Sequence, residues 1–67
     1  MLKKVTSIQD IRRYDVIFDS PDTKKAKQYK IENIFNGNIF AIHEDRMVEM
    51  KVINSYDLSL GSWWKRE

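Results

Sequence analysis

His43 is the only histidine in this chain, and there is no cysteine at all. Those two facts bound most of the chemistry on offer. A transition-metal site needs several imidazole, thiolate or carboxylate ligands converging on one ion, so one histidine without a thiolate predicts none. A Ser-His-Asp triad would have to bring His43 into a cleft, next to both a nucleophile and an orienting carboxylate. A phosphate-cradling loop needs glycines at fixed spacing, but Gly37 and Gly61 are the only two and lie far apart. The neighbouring carboxylates Glu44 and Asp45 read as loop charges. The expectation is a protein that is not an enzyme, with no cofactor, no metal and no small-molecule substrate.

Three groups of residues point instead to binding. The segment KKAKQYK collects Lys24, Lys25, Lys27 and Lys30 around Tyr29, with Arg12 and Arg13 upstream. Cations beside a stackable ring suit phosphate contact and base stacking. The plainer alternative is a solvated loop, with Tyr29 turned inward by strand alternation. The second group is Ile34 and Ile39, cross-strand neighbours near a hairpin tip, off the expected core face. The third is Trp63-Trp64, since neighbours on a strand point to opposite faces. Leu58 and Leu60 set an inward phase that makes Trp64 core and Trp63 exposed. A bulge at Gly61-Ser62 would exchange the two. Met47 and Tyr56 complete the apolar side chains without an obvious core position.

Elements that position these residues follow from pattern. Ser7–Ile11 reads as one helical turn, with Ser7 as cap. In YDVIFD, Tyr14, Val16 and Phe18 alternate with Asp15, Ile17 and Asp19, which is a strand. Ser20-Pro21-Asp22 begins a polar turn. Asn36-Gly37 between apolar runs is a strong hairpin signal, because a type I′ turn needs positive φ at both positions. Closing that turn pairs Phe35 with Asn38, Ile34 with Ile39, Asn33 with Phe40 and Ile31 with Ile42. Directly opposed residues share a face, so Tyr29, Ile31, Phe35, Phe40 and Ile42 are the expected core. Lys30, Glu32, Ala41 and His43 then face solvent. A three-residue loop at Glu44–Arg46 would set Ile42 opposite Val48 and Phe40 opposite Met50. NSYDL reads as a 3₁₀-like turn before a last strand, SLGSWW.

The whole chain, 1–67, reads as one small domain, which at this length buries only about 60% of its unfolded surface. Hydrophobic residues at 42% and charged residues at 33% predict a folded chain rather than a disordered one. No window approaches a membrane span, and no apolar run follows Lys3 and Lys4 as in a signal peptide. The expected location is the cytoplasm, consistent with the missing cysteine. Eight isoleucines and eight lysines suggest an AT-rich bacterial or phage gene.

Strand, long polar loop, three-stranded meander, 3₁₀-like turn and final strand: this order resembles the small barrels of the Src-homology-3-like and Sm-like classes. The likeness covers roughly residues 10–65 and rests on architecture. DIRRYDVIF is similar to the opening of many Src-homology-3-like barrels, matching at Asp15-Val16-Ile17, with Tyr14 standing where glycine is usual. The resemblance implies a mainly β fold, a barrel of about five antiparallel strands with a short N-terminal helical turn and a 3₁₀-like turn before the last strand. It implies no peptide-groove residues and no RNA-binding motif, and such folds host unrelated functions.

The leading expectation is therefore a non-enzymatic binding module, a protein–protein interaction or regulatory protein. Its contacts would be Trp63, Ile34, Ile39, Met47 and Tyr56, and its partner a protein or a second copy. A net charge of only +2 favours protein over nucleic acid. The alternative is a nucleic-acid-binding barrel using Arg12, Arg13, Lys24, Lys25, Lys27 and Lys30. A second alternative is a structural subunit of a larger assembly.

Overall fold

A computed structural model describes residues 2–43 and 46–66, the side chains of residues 46–49 excepted. Six strands form one antiparallel sheet: β1 (Leu2–Val5), β2 (Val16–Phe18), β3 (Gln28–Phe35), β4 (Asn38–His43), β5 (Arg46–Asn54) and β6 (Trp63–Arg66). A 3₁₀ turn at Ile8–Asp10 follows β1, and a short helix, α1 (Ser55–Ser59), joins β5 to β6. Strand order is β1-β6-β2-β3-β4-β5. The expected five-stranded closed barrel is corrected on two points. Among the described residues there are six strands, and the sheet is open, because its end strands β1 and β5 are not hydrogen-bonded to each other. The extra strand is β1, four residues that include Lys3 and Lys4. Its extended form is specified by its partner, with Val5 opposite Trp63 and Lys4 opposite Trp64.

Local signals account for several boundaries. The Ser7 side chain accepts from the Gln9 N–H at 3.2 Å and starts the 3₁₀ turn. Asn36 and Gly37 both hold positive φ, 53° and 76°, which closes the two-residue β3–β4 turn. A capping box opens α1: the Asp57 N–H donates to Asn54 Oδ1 at 2.8 Å, and the Asn54 N–H donates to Asp57 Oδ2 at 3.2 Å. This segment, expected as 3₁₀, is a single α-turn.

The largest departure lies in β3. From the tip inward, Phe35 pairs with Asn38, Ile34 with Ile39 and Asn33 with Phe40, as the turn dictates. Then the register shifts between Ile31 and Asn33: Ile31 faces Ala41, Lys30 faces Ile42 and Tyr29 faces His43. Glu32 is one extra residue on β3, a β-bulge, and one residue of slip moves every later side chain to the other face. The inner face is therefore Tyr29, Ile31, Ile39, Ala41 and His43, all buried. The expected core assignment of Phe35, Phe40 and Ile42 is overturned: Phe35 is exposed and the other two are half-buried. His43, expected on the solvent face, is buried with its ring edge-on to Tyr29, centroids 5.1 Å apart. β5 continues this pattern, with Ile39 opposite Ile53, Phe40 opposite Val52 and Ile42 opposite Met50. That is two residues further along β5 than the expected register, and Glu44 and Asp45 of the connecting loop lie outside the described residues.

The open sheet curves around one cluster. Val5 from one edge strand and Ile53 from the other both belong to it, with Ile17, Tyr29, Ile31, Ile39, Ala41 and Trp63 between them. Ile11 and Leu58 join from outside the sheet. The Lys65 ammonium donates to the Asp10 carbonyl and ties β6 to the 3₁₀ turn. Among the described residues, no helix is long and apolar enough to cross a membrane.

Candidate binding surfaces

The bulge at Glu32 turns a row of apolar side chains outward. On the outer face of β3, β4 and β5, Phe40 stands opposite Val52 and Ile42 opposite Met50. Phe35 lies diagonally from Phe40, since its direct partner is Asn38. Phe35 is 63% exposed, Met50 57% and Val52 54%, while Phe40 and Ile42 are half-buried beneath them. Around them on this face stand Asn33, Asn38, Asn54, Gln28 and Lys30, with Glu32 at the bulge, so polar side chains border an apolar strip two strands wide.

At one end of the strip stands a second cluster. Arg12–Asp15 forms a turn closed by the Asp15 N–H donating to the Arg12 carbonyl at 3.1 Å, with the Arg12 N–H donating to Asp15 Oδ2 at 2.9 Å. The turn is docked on the bulged strand: the Tyr14 N–H donates to the Ile31 carbonyl at 2.7 Å, and the Ile31 N–H to the Asp15 carbonyl at 2.8 Å. Arg13 Nε donates to the Glu32 carbonyl at 2.8 Å. Tyr14 holds φ 76°. The backbone there takes a glycine-like conformation although the residue is tyrosine. The Tyr14 ring is exposed, with the Arg13 guanidinium carbon 4.9 Å and the Lys30 ammonium 5.5 Å from its centroid.

A third feature is an open cleft of about 320 Å³ between β5, α1 and β6, lined by Asp19, Lys51, Asp57, Ser62 and Trp63 among others. Tyr29 and Trp63 meet edge to face behind it, and the Lys51 ammonium lies 5.8 Å and 5.6 Å from their ring centroids. The chain's own cation thus covers this aromatic pair.

The predicted contacts fare unequally. Trp63 is buried and Trp64 half-buried, which corrects the expected order. The phase inferred from Leu58 and Leu60 does not apply, because Leu58 sits in α1 and Leu60 caps it, so the strand begins only at Trp63. Gly61, at φ 75°, turns the chain just before it. Ile39 is likewise core, brought inward by the β3–β4 pairing. Ile34 packs half-buried against the cluster, Tyr56 is exposed on α1, and the Met47 side chain lies outside those described. Arg13 and Lys30 come together around Tyr14, with Arg12 in the same turn. Lys24, Lys25 and Lys27 do not join them, because they lie in the loop beyond the opposite end of β2. Phe35, Phe40, Ile42, Met50, Val52 and Tyr14 were missed as surface residues, because alternation counted without the bulge assigns the first three to the core.

No family model, curated protein or solved structure matches this chain.

Proposed function

We propose that this chain is a non-enzymatic binding module, acting in the cytoplasm, that docks a protein partner on the outer face of β3, β4 and β5. The observation that carries this reading is the strip of Phe35, Phe40, Ile42, Met50 and Val52, apolar and bordered by asparagines. Contiguous exposed apolar surface rimmed by polar groups is the mark of a docking face. Interface cores are poor in charge and rich in aromatic residues and methionine, as this strip is. The matching partner surface is itself apolar and weakly charged.

Phe35→Ser and Val52→Lys test the reading, since both positions are exposed and tolerate change. Wild-type and variant proteins would be used to capture partners from host extract, with and without nuclease. A protein retained by the wild type and lost with both variants, insensitive to nuclease and to moderate salt, is the expected result. An unchanged set of captured proteins with both variants would refute it. Sedimentation of the pure protein separates a foreign partner from a second copy on the same strip.

A further inference from the structure

Tyr14 is held in a backbone region that costs a bulky residue energy and glycine none. Such outliers persist where the surroundings impose them, and they cluster at functional sites. Burial does not offset the cost here, because the ring is 58% exposed and stands outside the buried cluster. What the ring contacts is charge. Arg13 and Lys30 flank it, and neither forms an ion pair among the described residues. Arg13 is anchored through Nε to the Glu32 carbonyl, and its terminal amino groups make no hydrogen bond to a described residue. Among the described residues, the Lys30 ammonium contacts the Tyr14 ring and forms no ion pair. Arg12 is exposed on the same turn. The turn is braced on the bulged strand by the Tyr14–Ile31 and Ile31–Asp15 hydrogen bonds, so the cluster is preorganised rather than a loose loop.

We infer that Arg13, Tyr14 and Lys30 form a site for single-stranded nucleic acid. Arg13 and Lys30 hold a phosphodiester, and a neighbouring base stacks on the Tyr14 ring as the Lys30 ammonium turns to the phosphate. A planar ring beside two cations that form no ion pair among the described residues is the combination that single strands select, whereas a duplex keeps its base faces stacked away from such a ring. An acidic protein would use the two cations but leave the ring, and the strained backbone that presents it, without a role. The site is independent of the proposed protein-docking strip, although Lys30 stands opposite Ile42 and the two surfaces adjoin.

Tyr14→Gly is the informative variant, because glycine suits the observed φ and no buried contact is removed. The probes are fluorescent oligo-dT and oligo-U of about ten nucleotides, followed by anisotropy at low salt. The expected result is binding by the wild type and a loss of about 5- to 150-fold with Tyr14→Gly, the value of one base stack, with Tm unchanged or raised. Replacing Arg13 and Lys30 together by glutamine should flatten the slope of log affinity against log salt by about 0.7, the value for one phosphate contact on a single strand. Lys24→Gln with Lys25→Gln should leave that slope unchanged, and Phe35→Ser should leave affinity unchanged, which separates this site from the strip. No binding at low salt, or wild-type affinity in Tyr14→Gly, would overturn the proposal. Equal binding to duplex DNA, to polyglutamate or to anionic vesicles would also overturn it, by showing a patch that reads charge alone.

Discussion

Tyr29 and Trp63 meet edge to face across the core, ring centroids 5.5 Å apart and planes at 79°, although β2 separates their strands in the sheet. The contact exists because the sheet curves around its buried cluster. It places an aromatic pair at the junction of β3 and β6, where such geometry adds to simple area burial. Trp64, the next residue, points to the other face. It stands opposite Phe18 and Lys4, with the Lys4 ammonium 5.9 Å from its ring.

Trp63→Ala is therefore expected to cost about 3–5 kcal/mol, as for a buried large aromatic. Trp64→Ala should cost less, since Trp64 is only partly buried. Urea denaturation of both variants measures this, and acrylamide quenching of the tryptophan each retains checks the faces. Stronger quenching of Trp63 than of Trp64 would contradict the placement.

The bulge at Glu32 makes a second prediction. Ile39→Ala should cost about 2–5 kcal/mol because Ile39 is fully buried. Phe35→Ala should stay within about 0.5 kcal/mol, as at other surface positions. Denaturation midpoints of the pair decide between the bulged register and the uninterrupted one. A larger loss at Phe35 than at Ile39 would restore the latter.

The α1 cap makes a third. Asn54→Ala removes the side-chain half of a reciprocal pair and should cost about 0.5–2 kcal/mol. Asn54→Asp keeps an acceptor for the Asp57 N–H and should retain most of that stability. Equal losses in the two variants would show that something other than the cap holds the link between β5 and β6.

The mainly β character and several turns were legible in the chain, and the legible parts are local. Asn36-Gly37 announces its turn because few residue pairs accept two positive φ values, and that turn sets the pairing as far as Asn33. Ser7 marks a helical start because its side chain satisfies the backbone N–H of Gln9, two residues on. The basic residues of the turn at Arg12 and Arg13 were also visible as types, and the sequence's lack of cysteine and its single histidine narrowed the chemistry it could offer.

Tertiary structure decided which of those residues share a face. The bulge at Glu32 carries no glycine or other sequence mark. It arises where the Arg12–Asp15 turn docks on β3, through hydrogen bonds between residues distant in sequence. That single extra residue moves Ile39 inward and Phe40 and Ile42 outward, creating the apolar strip. The same docking holds Tyr14 at positive φ between Arg13 and Lys30. β1 becomes a strand only because β6 offers it a ladder, and its lack of pairing with β5 leaves the sheet open. Each of these outcomes depends on pairing partners far along the chain, and the alternation of side chains within one strand carries no information about them.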